Sequence, residues 1–508
     1  MPTPAEGRAS TSAAAIPLSD LESGARGPYR SNGSWKSPLR ITACIMTLRT
    51  KDPEPAKLHA IGALDGLRGW ACMLVFNFHF LFTYTWTVSA GWGFTHKNVY
   101  IHQLPILHML ISGHIMVAIF FVISGYVLSY KPLKTMRNRS FDQTFTTLAS
   151  ATFRRAMRLY IPAICGLACV LVAVRCGLYD RTYDILMEGH TVIGTNEEHP
   201  PAMETLEEQW WDVYYTLTTL ADPFDWKTFY NNYNPHLWTI PVEFRSSIVL
   251  FLTLLATSRL MPAARMTLVG CLIWFCSRYG RWDIIIFLSG MLMAEVDLML
   301  GTWERPAGGP QDHPEEKMRL RLRSGSKIGL RIPRRFLWLA IFTIGLYIGS
   351  SPNIGYKWTP GYHWLWRLTP VTYGEPHRFP QTIGALIIVF SINHSPDLQK
   401  LFTHPLSQYV GKISFAFYVV HGPILHSFGY SLMPTVWKYT GKQDDFHYCL
   451  GLLIGWLICL PLCIWAGDLF WRVVDVPSVK FTRWVENSVL ATAAPASATP
   501  SGQEHRQS

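Results

Sequence analysis

Residues 64–82 read LDGLRGWACMLVFNFHFLF, an apolar stretch with an arginine near its start and a histidine near its end. A bilayer core of about 30 Å is crossed by a helix of about 20 apolar residues, and this stretch has that length and polarity. An ionisable side chain inside such a helix is unfavourable by on the order of a few kcal/mol, so its presence indicates a functional role. Arg68 and His79 are therefore the first candidate functional residues.

The spacing of these two residues predicts that they share one face of the helix. Eleven residues are close to three helical turns and span about 16 Å, roughly half the bilayer core. We therefore expect Arg68 near one membrane surface and His79 near the midplane. A neutral imidazole can take up a proton near neutral pH, which is what a general base requires. The alternative for His79 is a hydrogen bond to a neighbouring helix with a packing role only.

The composition of the whole chain indicates a membrane protein. Of 508 residues, 49% are hydrophobic and 14% aromatic, and only 16% are charged, against about 25% in soluble domains. The formal charge of +11 comes mostly from short loops between apolar runs, which favours membrane orientation over nucleic-acid binding. The ten cysteines contain no CxxC pair, so we expect neither a disulfide framework nor metal ligands.

The apolar runs predict an all-α, polytopic bundle of about ten transmembrane helices. The expected spans are 64–87, 106–130, 159–178, 237–257, 266–280, 283–300, 335–350, 381–395, 408–430 and 447–471. Together they form a membrane domain over 57–482. Residues 1–56 and 483–508 are rich in small and polar residues and are expected to be disordered cytoplasmic tails.

The charges of the loops predict the orientation of the bundle. The loop after the second span contains Lys131, Lys134, Arg137, Arg139, Arg154, Arg155 and Arg158, and the loop 301–334 is also basic. Both should be cytoplasmic by the positive-inside rule. The loop 179–236 is acidic and should be extracytoplasmic or lumenal. Both termini are then cytoplasmic, in an endomembrane or the plasma membrane.

Other polar residues fall inside or beside the apolar runs. In ATFRRAMRLYIP, Arg155 and Arg158 lie one helical turn apart, and such a pair can hold phosphate groups or simply anchor the helix at the membrane surface. In NPHLWTIPVEFRSS, Glu243 follows His236 and could orient a proton acceptor, or pair with Arg245 or another helix.

The ninth span carries the second deeply placed histidine. In KISFAFYVVHGPIL, His421 is followed by a glycine and by Pro423, which frees a backbone carbonyl and predicts a bend; a packing role for His421 is an equal alternative. In FFVISGYVLS of the second span, Ser124 and Gly125 form a small pair that permits close helix approach. Ser124 lacks the GxSxG context of a nucleophile.

Taken in order, these blocks resemble acyltransferase family 3, a family of integral membrane proteins, in a eukaryotic, fungal-type form. The blocks are LDGLRGWACMLVFNFH, FFVISGYVLS, FRRAMRLYIP, HLWTIPVEF, ISFAFYVVHGPI and DLFWRVVDVP, spread over about residues 64–480. Arg68 and His79 match the family's arginine, ten residues, histidine motif. Arg155 and Arg158 match its arginine, two residues, arginine motif. A departure is Asp475, where a glutamate would be expected.

The resemblance implies transfer of an acyl group, often acetyl, from acyl-CoA to a hydroxyl of a natural product or carbohydrate. Acyl-CoA (acetyl-CoA) is then a co-substrate, with no permanently bound cofactor, and the partners are the hydroxylated acceptor and the lipid bilayer. His79 would be catalytic, assisted by Glu243 or His421, while Arg68, Arg155 and Arg158 would contact acyl-CoA.

Two alternatives remain open from the sequence. Buried histidine and glutamate side chains also suit a proton-coupled transporter or flippase that uses His79 and Glu243. A different class of membrane acyltransferase pairs a buried histidine with an asparagine, and Asn393 in the eighth span could take that part.

Overall fold

The computed structural model describes residues 61–189, 191–193, 199–302, 318–319, 331–332 and 334–490. The fold is all-helical apart from the two-residue antiparallel pair β1 (Met318–Arg319) and β2 (Arg331–Ile332). The expected tail 1–56, most of the basic loop 301–334 and residues 491–508 lie outside the described residues.

The described residues form sixteen α-helices. They are α1 (Gly62–Tyr84), α2 (Gly113–Arg137), α3 (Phe141–Arg175), α4 (Asp180–Glu188), α5 (Leu206–Ala221), α6 (Thr239–Ala256), α7 (Pro262–Arg278), α8 (Trp282–Leu300), α9 (Arg334–Gly349), α10 (His363–Leu368), α11 (Arg378–His394), α12 (Pro396–Thr403), α13 (Pro405–Ile424), α14 (Tyr430–Thr440), α15 (Asp445–Phe470) and α16 (Val476–Val489). Each of the ten expected spans overlaps one of these helices.

Four helical stretches in the described residues are long and apolar enough to cross a membrane: Gly113–Arg137, Phe141–Arg175, Pro235–Ala256 and Asp445–Val489. The first includes α2 and the second α3. The third joins a 3₁₀ turn, Pro235–Trp238, to α6, and the fourth runs through α15 and α16 by way of a π-helical segment, Trp471–Asp475.

The structure differs from the sequence expectation at the C-terminal end of the bundle and in the loop 179–236. Residues 483–489, expected in the C-terminal tail, belong to α16, because this helix packs against α3 rather than ending in solvent. The expected lumenal loop 179–236 contains two helices, α4 and α5.

Helices α1 and α13 lie side by side and parallel. Arg68 contacts Gly411 and Ser414, and Thr83, further along α1, lies 3.4 Å from the Tyr430 hydroxyl, so both chains advance in the same direction. The approach is close at Gly411, where an added Cβ would lie 2.3 Å from the carbonyl oxygen of Asp65. This parallel pair is the framework on which the polar residues of the bundle are placed.

The predicted close approach at Gly125 is confirmed. A Cβ at Gly125 would lie 2.4 Å from the carbonyl oxygen of Phe287 on α8, so α2 and α8 pack backbone to backbone. The largest apolar core surrounds this crossing and includes Phe121, Val122 and Phe287, all buried. Pro423, where a bend is expected, lies inside α13, which passes into a π-helical segment, Leu425–Gly429, two residues later.

Candidate active site

Three histidines from distant parts of the chain meet in the interior of the bundle. His79 comes from α1, His236 from the 3₁₀ turn before α6, and His421 from α13. The ring centroids of His79 and His236 are 3.9 Å apart, those of His236 and His421 4.9 Å, and those of His79 and His421 5.5 Å. One ring nitrogen of each lies within 4.8 Å of the others. We call these three residues the histidine cluster.

Hydrogen bonds fix the rings of two cluster members. The Nδ1–H of His421 donates to the backbone carbonyl of Tyr418 at 2.8 Å and to that of Phe417 at 3.2 Å. Nδ1 of His236 lies 3.3 Å from the side-chain oxygen of Asn234. Since each Nδ1 faces an oxygen acceptor, each carries the proton, and Nε2 of both rings presents a lone pair.

A glycine makes room for the ring of His236. A Cβ at Gly422 would lie 2.3 Å from His236 Nδ1 and 3.1 Å from the side-chain oxygen of Asn234. Asn234 is itself held against α13, because its side-chain amide donates to the carbonyl of Val419 at 2.9 Å. The glycine after His421, noted in the sequence only beside Pro423, thus allows two histidines to approach each other.

His79 lies toward the C-terminal end of α1. The residue lies 17 positions after the first residue of α1, about 26 Å along the helix axis, and only five positions, about 8 Å, before the last. The histidine cluster therefore lies nearer the C-terminal end of α1. His236 at 4% exposure and His421 at 0% are enclosed by protein, whereas His79 is half-buried.

Arg68 occupies the same face of α1 as His79, as their spacing predicts, because both face α13. Its Nε donates to the hydroxyl of Ser414 at 3.0 Å and a terminal nitrogen donates to the carbonyl of Gly411 at 3.2 Å. Arg68 remains half-buried, and it lies about 16 Å from His79 along the helix.

Arg155 and Glu243, both predicted site residues, bind each other. A terminal nitrogen of Arg155 lies 2.7 Å from a Glu243 carboxylate oxygen, and its Nε donates to Ser247 at 3.0 Å. The hydroxyl of Ser124 donates to the same Glu243 oxygen at 2.9 Å. The structure thus places Glu243 with a predicted acyl-CoA contact, and pairing with another helix, one of the alternatives, is what is observed.

Arg158 stands one turn further along α3 in different surroundings. It is half-buried. Burial is the main influence on the carboxylate of Asp475, at the end of the π-helical segment, and the charges of Arg158 and Arg68 oppose it. Two predicted acyl-CoA contacts from different helices therefore lie within electrostatic reach of one carboxylate. In the sequence Asp475 stood out only as a departure from the expected glutamate.

Tyr418 was missed by the sequence reading and connects the histidine cluster to α6. Its hydroxyl donates to the backbone carbonyl of His236 and lies 2.6 Å from the Thr239 hydroxyl. Its position three residues before His421 was the available signal.

Asn393, the alternative catalytic partner, lies at the end of α11 and donates to Asp297 at 3.0 Å. Arg245, the alternative partner of Glu243, lies 3.9 Å from Asp283.

Comparison with known proteins gives consistent matches over most of the chain. A family model described as an acyltransferase domain, Acyl_transf_3, matches residues 61–472. O-acetyltransferase PaAT-1 of Phomopsis amygdali is 30% identical over 454 residues, which cover 86% of this chain and 87% of the relative. Acyltransferase R4 of Phoma sp. and acyltransferase clz18 of Cochliobolus lunatus are 25% and 24% identical, each over 84% of this chain and 96% of the relative. No solved structure gives a significant match.

Proposed function

Because the chain belongs to acyltransferase family 3, a membrane-associated family, we propose that it transfers an acetyl group from acetyl-CoA to a hydroxyl of a lipophilic natural product. The observation that carries this proposal is the pairing of two polar sites on one helix face. Arg68 lies near the start of α1 and His79 lies about 16 Å further on, and both face α13. A relative's name, O-acetyltransferase, supports acetyl as the group transferred, and its fungal source favours a natural product over a carbohydrate as the acceptor.

Arg68 and Arg158 are the proposed contacts for the phosphate groups of CoA. Guanidinium groups bind phosphate through paired, charge-assisted hydrogen bonds. Both side chains are half-buried, so they combine access with low solvent screening. Both charges lie within electrostatic reach of the Asp475 carboxylate. Arg155 has a supporting role, because Glu243 already takes its charge.

His79, about 16 Å from Arg68 along α1, activates the acceptor hydroxyl. The ring takes the hydroxyl proton as the oxygen attacks the thioester carbonyl carbon, the C–S bond then breaks, and the departing sulfur receives the proton from the ring. The products are the ester and free CoA, with no net proton change. General-base catalysis of this kind contributes about 10²–10⁴ in rate, and the neighbouring lone pairs of His236 and His421 stabilise the protonated ring.

The proposed membrane arrangement follows from the loop charges. Ten helices cross the bilayer, both termini lie in the cytoplasm, and the start of α1 faces the cytoplasm where CoA is found. The histidine cluster then lies in the half of the membrane away from the CoA phosphates. The thioester arm is drawn along α1 toward it, while the acceptor approaches from the lipid or the opposite side.

Replacement of His79 tests the proposal. Purified full-length His79→Ala should bind acetyl-CoA with an affinity close to that of the unchanged protein, and should form acetylated product at least about 100-fold more slowly, the lower range of general-base contributions. Product is measured by mass spectrometry and CoA release by thiol titration, with acceptor extracts of the host as the source of hydroxyl compounds.

The surface histidine His96, exposed in the loop after α1, provides the matched control, since His96→Ala should retain full activity. Acetyl transfer by His79→Ala at a near-normal rate would exclude the assignment. A purified unchanged protein that neither releases CoA nor acylates any hydroxyl compound, yet moves a solute across vesicles, would instead support the transporter alternative.

A further inference from the structure

We propose that the histidine cluster, His79, His236 and His421, binds one divalent transition-metal ion, for which Zn²⁺ is the best match. The location of this site rests on no assumption about catalysis, although the role given to the ion below rests on the proposed function. The sequence showed no metal motif because the three ligands lie 157 and 185 positions apart (236 − 79 and 421 − 236).

The number and type of ligands fit zinc. Imidazole nitrogen is a common zinc ligand, and three protein ligands with one open position form the arrangement of catalytic zinc sites. Zinc–nitrogen bonds of about 2.1 Å place two ligand nitrogens about 3.4 Å apart in a tetrahedron. The cluster nitrogens lie within 4.8 Å of one another, so the most widely spaced pair has to close by at most about 1.4 Å to reach that geometry.

The surroundings of two rings are those of metal ligands. A ligating histidine typically donates its other ring N–H to a carbonyl or amide oxygen, which orients the ring and fixes the tautomer. His421 does this through the carbonyls of Phe417 and Tyr418, and His236 through Asn234. Asn234 is in turn held by Asn231 and Val419. The supporting contacts are therefore already in place around the cluster.

The lone pairs facing into the cluster offer a place for a cation. Within the part of the chain that the structure describes, Nε2 of His421 is buried and has no hydrogen-bond partner, which is unusual for a buried polar atom. With Nδ1 protonated, this nitrogen can only accept. A second ring, that of His236, presents its Nε2 lone pair for the same reason, so the two rings can share a metal ion but cannot satisfy each other by a hydrogen bond.

Such an ion would change how the acceptor is activated. When bound, it would hold the acceptor hydroxyl at the open position and lower the pKa of that hydroxyl. The hydroxyl proton would pass to solvent as the oxygen attacks the thioester carbon and the C–S bond breaks, and the leaving sulfur would take a proton from solvent, so the ester and free CoA form with no net proton change. His79 would then be a metal ligand, and this replaces its role as general base in the mechanism proposed above.

Metal content is the direct test. The full-length chain is purified in detergent through a tag without histidines, and its metals are measured by inductively coupled plasma mass spectrometry. We expect about one zinc per chain, a loss to background in His236→Ala and His421→Ala, and no change in His96→Ala. After removal of the metal, added Co²⁺ should give the visible absorption of a tetrahedral site. Asn234→Ala should lower Zn²⁺ affinity about 10- to 100-fold while leaving the ligands in place.

Measurements on the unchanged protein alone can overturn the inference, so the inference stays testable even if the variants fail to fold. A chain that acylates its acceptor while free of stoichiometric metal, insensitive to a strong chelator and silent with Co²⁺ has no such site. Metal that persists equally in both histidine variants is adventitious and also overturns it. Conversely, a metal-loaded chain with no acyl transfer leaves this inference intact and defeats the proposed function, so the two failures are distinguishable.

Discussion

Arg155 and Arg158 lie one turn apart on α3 and differ in what surrounds them. The side chain of Arg155 is 6% exposed and forms an ion pair with Glu243, whose side chain is 19% exposed. Arg158 is half-buried, and the carboxylate that senses its charge, Asp475, also senses that of Arg68. Arg155, whose charge is already paired in the interior, is proposed to support the fold. Arg158, whose charge acts on the same carboxylate as that of Arg68, is proposed to exchange this carboxylate for a phosphate.

Alanine substitutions should separate these two roles. Arg158→Ala should raise the KM for acetyl-CoA about 10-fold or more, because it removes charge-assisted hydrogen bonds, with little effect on thermal unfolding. Arg155→Ala should destabilise the protein by about 3 kcal/mol, because it leaves Glu243 without its cation in the interior.

The double variant Arg155→Ala/Glu243→Ala serves as the control, since it removes both charges and should regain part of the lost stability. Kinetics with varied acetyl-CoA and unfolding in one detergent give both readouts. Equal KM effects of the two single variants would contradict the division of roles.

Gly422 sets the position of His236 and allows a second residue-level prediction. Gly422→Ala introduces a Cβ that would lie 2.3 Å from His236 Nδ1, so the ring must move. A displacement of about 1 Å in a reacting group can reduce the rate about 100-fold, and we expect a loss of that order in turnover. Gly270→Ala on α7, where the added Cβ meets nothing within 4 Å, is the matched control and should keep full activity. Normal turnover in Gly422→Ala would show that the ring position is unimportant.

The sequence could predict that Arg68 and His79 share a helix face, but it could not predict the partners of the other polar residues. The spacing of Arg68 and His79 lies within one helix, so helical geometry alone places both on one face. The partners of Glu243 and the meeting of His236 with His421 depend on how separate helices pack, which periodicity in one segment does not encode. The proposed roles of these residues remain predictions until the variants are measured.

At the level of elements, α5 is held to the bundle by a small buried network. The side-chain amide of Gln209 donates to the Tyr233 hydroxyl at 2.6 Å, and this hydroxyl donates to Asp212 at 2.5 Å. Gln209 and Tyr233 are buried, while large aromatic residues of the same helix, such as Trp210 and Tyr215, are exposed. The network connects α5 to the chain just before His236 and so to one wall of the histidine cluster.

Tyr233→Phe should loosen α5. The change leaves the buried Gln209 and the half-buried Asp212 without the hydroxyl, a cost of about 1–3 kcal/mol for local opening, and hydrogen exchange in α5 should accelerate accordingly. Burial, with the neighbouring Asp212 carboxylate, raises the pKa of Tyr233, so the wild-type network is present below the ordinary tyrosine pKa and is lost only as pH rises above it. Tyr215→Phe, an exposed position on the same helix, is the control. Unchanged exchange in Tyr233→Phe would contradict the assigned role.

The helices themselves could be predicted closely because the length and apolarity of each segment are properties of a continuous stretch. The expected span 237–257 matches α6 with its preceding 3₁₀ turn, and 283–300 matches α8. The second span was placed too early, at 106–130, since the apolar residues before Gly113 form a 3₁₀ turn, Leu107–Ile111. Helices α4 and α5 were missed because their apolar faces are too short to resemble membrane spans.

On the scale of the whole molecule, the last helix returns to the first half of the chain. Glu486 on α16 accepts a hydrogen bond from Ser150 and lies 3.3 Å from Nε of Arg154 on α3. The side chain of Arg154 is 5% exposed. Helix α16 continues from the π-helical segment that carries Asp475, so this contact braces the carboxylate next to Arg158.

Glu486→Ala should therefore affect both stability and donor binding. Removing the carboxylate from the buried Arg154 should cost about 3 kcal/mol, seen as a lower unfolding temperature, and the KM for acetyl-CoA should rise as Asp475 loses its support. Asn487→Ala, the adjacent exposed position, should change neither quantity. A stable Glu486→Ala protein with normal kinetics would show that α16 is dispensable.

Helix α1, which runs parallel to α13, sets a fixed distance between Arg68 and His79. This interval is set by the α1 backbone, and α13 places Gly411 beside the first and His421 beside the second. A single residue inserted between positions 68 and 79 would turn the ring by about 100° and shift it about 1.5 Å, which removes it from its neighbours. Under the proposed function, donors that differ in acyl length are then accommodated beyond the imidazole, since the backbone of α1 sets the distance between the phosphate contacts and the reacting carbon.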